Sequence, residues 1–147
     1  MKLPEKILTI CIIFATWMFL LSCNNNTEQK KEPINYRGKA HIDFSDTIHD
    51  FGTLKEGEIA EYTFKYKNTG TAPLNIINII TDCGCTVPEY DKNPVLPGKK
   101  AKIKVTFDSR GFRNNIYKTI TVKTNAKKRK IKLILTAFIK NNNSLNF

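Results

Sequence analysis

The residues of this sequence best suited to chemistry are two cysteines separated by one glycine, Cys83 and Cys85. They lie in the segment TDCGCT, and the chain contains only two further cysteines, Cys11 and Cys23. Two thiols at this spacing can be small buried apolar side chains, a disulfide, or a pair of ligands for a soft metal ion. The compartment bears on the choice, because disulfides persist in oxidising surroundings.

Each interpretation of the CGC motif makes its own structural demand. A disulfide between residues i and i+2 needs a bent backbone, which Gly84 is expected to allow, and such a bridge resembles labile or catalytic disulfides. In an extended strand the two cysteine side chains lie on one face, where their sulfur atoms could bind Cu(I). His41 and His49 are the only histidines in the sequence that could serve as further ligands. No metal or other cofactor is favoured, and all three interpretations stay open.

Other signs of catalysis are weak. The acidic residues crowd one early segment, with no second cluster opposite them: Asp43, Asp46, Asp50, Glu56 and Glu58. The sequence has no nucleophile-elbow pattern and no glycine-rich phosphate loop. We therefore predict that the protein is not an enzyme.

The N-terminus has the pattern of an export signal. Lys2 and Lys6 precede an apolar run over residues 7–21, which is shorter than the roughly 20 residues of a membrane-spanning helix. The run ends in LLSC, which resembles the lipobox of bacterial lipoproteins and implies cleavage between Ser22 and Cys23, with lipidation of Cys23. An ordinary cleaved signal, or an uncleaved anchor, is the alternative. We expect a signal peptide over 1–22, a flexible tether over 23–40, one domain over 41–140 and a frayed tail over 141–147.

The charge is strongly basic, with 24 Lys and Arg against 13 Asp and Glu and a net charge of +11. In an exported protein this excess argues for anionic lipid, polysaccharide or solubility rather than nucleic acid. Its densest cluster, in a hairpin predicted near the C-terminus, is Lys127, Lys128, Arg129 and Lys130. The cluster is either a solvated turn that protects a strand edge or a contact for lipid or polysaccharide phosphates. No acidic run follows Cys23, so we expect a periplasm-facing domain in the bacterial cell envelope.

Beyond residue 41 the sequence consists of short alternating apolar runs separated by turn residues, with no sustained helical period. The segment 101–109 directs Ile103, Val105 and Phe107 to one face, and 129–139 repeats the pattern. The segment 73–81 is apolar enough for the interior of a sandwich. About seven strands in a domain of this length predict an all-β, immunoglobulin-like sandwich. Without helices to form crossovers, we expect no parallel sheet.

Five motifs occur in order: HDFGTLKEGE, YKNTGTAPLNI, DCGCT, LPGKKAKIKVTFDS and KTITVKTN. Together they resemble the bacterial domain-of-unknown-function family 1573, whose secreted Ig-like domains are similar to Hydin-type and major-sperm-protein-like sandwiches. The resemblance covers residues 44–139 and implies a fold and an envelope setting, but no activity. We therefore expect a lipid-anchored binding or scaffolding domain with a protein partner in the envelope. The alternative is a periplasmic thiol-redox or copper-handling protein that uses Cys83 and Cys85.

Overall fold

A computed structural model describes residues 36–141, and all regular elements in that range are strands. The predicted signal peptide, Ser22, Cys23, most of the predicted tether and nearly all of the predicted tail lie outside these residues. No helix in the described part of the chain is long and apolar enough to cross a membrane. The strands are β1 (Ile42–Phe44), β2 (Ile48–Lys55), β3 (Ile59–Asn68), β4 (Ile76–Thr81), β5 (Thr86–Tyr90), β6 (Lys100–Asp108), β7 (Asn114–Thr124) and β8 (Lys130–Lys140).

The strands form two four-stranded sheets, in the orders β1-β3-β6-β5 and β2-β8-β7-β4, which confirms the predicted all-β sandwich. The core between the sheets comes from the alternating positions that the sequence indicated, and the fully buried side chains include Phe64, Ile103, Val105, Phe107, Leu133 and Leu135. Each such side chain contributes about 1.5–3 kcal/mol through its removal from water. The pKa of Tyr66 is raised to about 12, mainly because the phenol is removed from water and to a lesser extent because Asp91 and Tyr90 lie nearby. The phenol therefore stays neutral.

The count of about seven strands is too low by one, because β5 was not predicted. This strand is short and contains Pro88, which cannot donate a backbone hydrogen bond. It is the outer strand of its sheet and pairs with β6 alone, so one of its edges needs no donor. Proline is tolerated at such an edge position.

Neither sheet is a parallel sheet, as expected, but one pair of strands is parallel: β2 and β8 run in the same direction, with Ile48 opposite Ile134. The chain changes sheets between β1 and β2, and it then crosses between the two sheets before β8 arrives. A parallel pair can therefore form without a helical crossover.

The segment expected in the sandwich interior is instead the outer strand of the second sheet, β4. Ile77 is 67% exposed and Ile80 is 42% exposed. A bulge lies between Ile76 and Asn78, where the pairing of β4 with β7 shifts register. The fully buried member of the predicted segment is Leu74, which forms an isolated bridge with Val95.

The loops gather at two ends of the sandwich. We call one the basic end, formed by residues 36–41, 69–75, 91–99 and 125–129, and the other the CGC end, formed by 56–58, 82–85 and 109–113. Asn68 lies at the basic end and is completely buried. Ala40, the last residue of the expected tether, is 2% exposed and belongs to the core. The packed domain therefore begins before residue 41.

Candidate functional site

The CGC motif forms the turn that carries the chain from β4 in one sheet to β5 in the other. Cys83 and Cys85 are joined there by a disulfide, with a Cα–Cα separation of 5.2 Å that lies in the usual range for a bridge. Both cysteines are half-buried, and Cys85 packs against the core. The pair therefore sits at the CGC end, where the chain passes from one outer strand to the other.

Hydrogen bonds from both side chains and backbone hold this turn to the two sheets. The Asp82 carboxylate accepts the N–H of Thr119 on β7 at 3.0 Å. The Cys85 carbonyl accepts the N–H of Asp108 on β6 at 2.9 Å. The Cys83 carbonyl accepts the Thr81 hydroxyl at 3.0 Å. Because these bonds do not involve sulfur, we expect the turn to keep its path when the disulfide is reduced.

A hydroxyl group lies beside the sulfur atoms. Thr86 is 3% exposed, and its Oγ1 is 3.9 Å from the Cys83 Sγ and 3.7 Å from the Cys85 Sγ. This hydroxyl is placed to donate a weak hydrogen bond to either sulfur of a reduced pair. The adjacency of Thr86 to the motif was the one feature of the sequence that pointed to this contact.

The glycine between the cysteines has a smaller role than we expected. Gly84 does not adopt a positive φ, and a Cβ added to it would meet no atom within 4 Å. The bend that brings the two sulfur atoms together therefore does not depend on a backbone conformation reserved for glycine.

The two histidines lie away from the cysteines. His49 is on β2, on the opposite side of the sandwich from β4, and its ring stacks on Tyr62 with centroids 3.5 Å apart. His41 is at the basic end, where its backbone N–H points to the Asn68 side chain. Within residues 36–141 no group of three or more His, Cys, Asp or Glu side chains is placed to share a metal ion.

The predicted basic cluster occupies the hairpin between β7 and β8. All four of its side chains are exposed, and none forms a salt bridge with a carboxylate of the described residues: Lys127, Lys128, Arg129 and Lys130. The hairpin is fixed from beneath by Thr124, whose hydroxyl accepts the N–H of Ala126 at 3.2 Å. The Lys127 N–H donates to the Ala40 carbonyl at 3.2 Å. The cations thus lie on a turn whose backbone is hydrogen-bonded to the domain.

The sequence did not lead us to expect an exposed sheet edge on β4. The other outer strands carry features that discourage pairing with a further strand: Asp43 on β1, Asp50 and Lys55 on β2, Pro88 and Glu89 on β5. β4, by contrast, contains no charged residue and no proline. The uncharged run of isoleucines was visible in the sequence, but only the topology shows that it lies at an edge.

Comparison with known proteins supports the fold and does not supply an activity. The profile of the family described as "Protein of unknown function (DUF1573)" matches residues 42–139. A search of curated proteins found no match to the chain.

Three solved structures share the fold at low sequence identity. A protein of unknown function from Porphyromonas gingivalis W83 is 19% identical, with a TM-score of 0.62 over 72% of this chain and 50% of that one. The ASH/PapD-like domain 7 of human CEP192 is 14% identical, with a TM-score of 0.59 over 75% of this chain and 92% of that domain. The VesB protease of Vibrio cholerae is 11% identical, with a TM-score of 0.53 over 67% of this chain and 31% of that one. The chain thus spans half of the Porphyromonas protein and under a third of VesB, so the likeness concerns one domain.

Proposed function

Since the chain belongs to the DUF1573 family, whose description assigns no activity, we propose its function from its own residues. It is a lipoprotein of the bacterial cell envelope, anchored through Cys23, with the sandwich facing the periplasm as a non-catalytic binding or scaffolding domain. The leader and LLSC motif support the anchor. The PapD-like fold is compatible with a binding role, although a fold alone does not determine one.

The observation that carries the binding role is the free edge of β4. An outer strand exposes backbone N–H and C=O groups that a strand from another protein can pair with. β4 adds two exposed apolar side chains, Ile77 and Ile80, which can pack against the side chains of such a strand. We therefore assign β4 as the site where an envelope protein adds a strand to the second sheet.

The carboxylates of the N-terminal segment support the non-catalytic assignment, because three of them make local structural hydrogen bonds. Asp46 accepts the Tyr62 hydroxyl at 3.1 Å, Asp50 accepts the Gly52 N–H at 3.0 Å, and Glu58 accepts the Lys55 N–H at 2.9 Å. Groups engaged in this way hold turns and strand ends in place. Acid–base catalysis needs a titratable side chain that is positioned to exchange a proton with a substrate, and these three carboxylates are already engaged within the fold.

Site-specific photo-crosslinking in living cells tests the binding role. We expect a photoreactive residue at Asn78 on β4 to capture one discrete protein, and the same residue at Asp43 on β1 not to capture it. Because Ile77 and Ile80 are exposed, changing both to lysine should preserve the fold but abolish the crosslink. The matched change Val87→Lys on β5, where the side chain is 52% exposed, should leave the crosslink intact. Equal crosslinking from β1 and β4, or a crosslink that survives both lysines, would contradict the proposal.

The lipid anchor is tested in the same cells. We expect the protein to incorporate a labelled fatty acid, and we expect Cys23→Ser to abolish that incorporation.

The alternative function is thiol–disulfide exchange by the CGC pair, which the disulfide and the adjacent Thr86 hydroxyl favour, or copper handling by the same two cysteines when they are reduced. In the exchange, Cys83 and Cys85 give up two electrons and two protons to a partner disulfide, which becomes two thiols. We expect mass spectrometry of native protein to find both cysteines alkylated only after reduction. Alkylation without reduction, with copper in the same sample, would favour metal handling.

Changing both cysteines to serine separates the two functions. A scaffold with both serines keeps the β4 crosslink, whereas a redox protein loses its thiol–disulfide exchange. A melting curve beside each assay controls for destabilisation, which we expect to be about 1–2 kcal/mol for so short a disulfide loop.

A further inference from the structure

The charges of the domain are divided unequally between its two ends. The loops of the CGC end carry two cations and three carboxylates, and both cations form ion pairs, Arg110 with Asp108 and Arg113 with Glu56. The loops of the basic end carry one carboxylate, Asp91, and seven exposed cations. None of the seven forms a salt bridge with a carboxylate in the described range: Arg37, Lys39, Lys92, Lys99, Lys127, Lys128 and Arg129.

The strands that lead to the basic end extend this charge in an unfavourable way. Three pairs of lysines stand directly opposite each other on strands near the basic end, Lys67 and Lys100, Lys65 and Lys102, and Lys123 and Lys130, against one such pair near the CGC end, Lys55 and Lys140. Like charges in such cross-strand pairs repel each other and lower the stability of the sheet. A bound anionic surface would relieve all three repulsions. Solubility alone would be served equally well by lysines placed apart.

The segment that leads back to Cys23 leaves the domain from the same end. The Lys39 carbonyl accepts the Thr71 N–H at 3.1 Å, and the His41 carbonyl accepts the Thr69 N–H at 2.9 Å. These bonds, with that from Lys127 to Ala40, fix the start of the domain among the basic loops. Cys23 precedes Lys39 by sixteen residues, which span at most about 55 Å when fully extended. A lipid on Cys23 therefore keeps the basic end within reach of the membrane surface.

We propose that the basic end binds the anionic phospholipid headgroups of the membrane that holds the chain, and so sets the orientation of the domain. This inference rests on the proposed lipid anchor at Cys23. The acyl chains provide attachment, and the cations add an electrostatic contact that selects one end of the sandwich. In this orientation the CGC end points away from the membrane, and the edge of β4 stands accessible along the side.

The test is a lysine-acetylation footprint of the full chain, purified with its anchor and reconstituted into vesicles. One set of vesicles is phosphatidylcholine alone, and the other contains a third of phosphatidylglycerol. We expect acetylation of Lys39, Lys99 and Lys127 to slow several-fold in the anionic vesicles, while Lys55 and Lys140 near the CGC end react at the same rate in both. About 1 M salt, where the Debye length is about 3 Å, should remove the difference. Equal rates in both vesicles, or equal protection at both ends, would overturn the inference.

Charge-matched variants make the test specific. Lys127→Gln, Lys128→Gln and Arg129→Gln together should abolish the protection of Lys39 and Lys99, which are not themselves changed. Lys55→Gln, Arg110→Gln and Lys140→Gln remove the same charge near the CGC end and should leave that protection intact. If both triple variants lose it, overall charge rather than the basic end is responsible, and the proposal is wrong.

Two further readouts separate this inference from the proposed anchor. A chain that fails to float with phosphatidylcholine vesicles has no working anchor, and protection in anionic vesicles then still supports the headgroup contact. A chain that floats but shows no protection keeps the anchor and refutes the contact. Protection by dissolved dextran sulfate without protection by anionic vesicles would identify polysaccharide as the ligand and overturn the membrane assignment.

Discussion

Changing Asn68 to leucine is expected to destabilise the domain by about 3–5 kcal/mol, as measured by equilibrium urea unfolding. The Asn68 side chain is completely buried, and its Nδ2 donates to the carbonyls of Ala72 and Val95 at 2.8 Å. Its Oδ1 accepts the Gly70 N–H at 3.0 Å and the His41 N–H at 3.4 Å. Leucine has a similar size but makes none of these four part-buried bonds, so the two N–H groups and the Ala72 carbonyl lose this partner, while the Val95 carbonyl keeps the Leu74 N–H at 2.9 Å.

The matched control is Asn125→Leu. Asn125 makes comparable bonds, accepting the Asn75 N–H at 2.8 Å and donating to the Pro73 carbonyl at 3.0 Å, but its side chain is exposed. Water can replace the lost partner there, so we expect a loss of about 1 kcal/mol or less. If the two leucine variants unfold at the same urea concentration, burial of the Asn68 amide does not explain its contribution.

Gly70→Ala is expected to destabilise the domain by about 2–4 kcal/mol, because the new methyl group has no room. A Cβ at this position would lie 2.4 Å from the His41 nitrogen and 2.4 Å from the Lys39 carbonyl oxygen. Both are backbone atoms held in hydrogen-bonded segments, so they cannot move aside as a flexible side chain would. The same unfolding measurement reports the loss.

Gly84→Ala is the control for Gly70, since a Cβ at Gly84 meets nothing within 4 Å. We expect a change within about 0.5 kcal/mol, as for an ordinary surface substitution. A large loss at Gly84, or no loss at Gly70, would show that backbone crowding does not set the requirement for glycine.

The parts of the fold that the sequence predicted correctly are those in which one strand carries a full period-two pattern. β6 alternates apolar and polar residues, β8 carries an apolar residue at every second position from Ile131 to Ile139, and every apolar position we assigned inward is buried. β4 misled us because its isoleucines lie on both faces, and hydrophobicity alone cannot tell a central strand from an outer one. β5 was missed because Pro88 is excluded from a central strand but tolerated at an edge.

The candidate sites divide in the same way. The CGC pair and the hairpin lysines are contiguous in sequence, so their residues could be named in advance. The basic end combines loops far apart in the chain, from Arg37 to Arg129, and only the topology brings them together. The burial of Asn68 could not be predicted, because a sequence does not show that a polar side chain beside a loop will be buried.

Under the export that we propose, the parallel pairing of β2 with β8 bears on when the chain can acquire its structure. Ile48, near the start of the domain, pairs with Ile134, near its end, and β8 also separates β2 from β7. A polypeptide that emerges from a translocation channel with its N-terminus first must therefore keep β2 unpaired until the last strand has followed. Strand pairings between residues so distant in sequence are typical of slow-folding topologies. A strand that stays unpaired during this time exposes its edges and is prone to aggregate. Release from the channel, rather than the pace of synthesis, would then set the moment at which the second sheet closes.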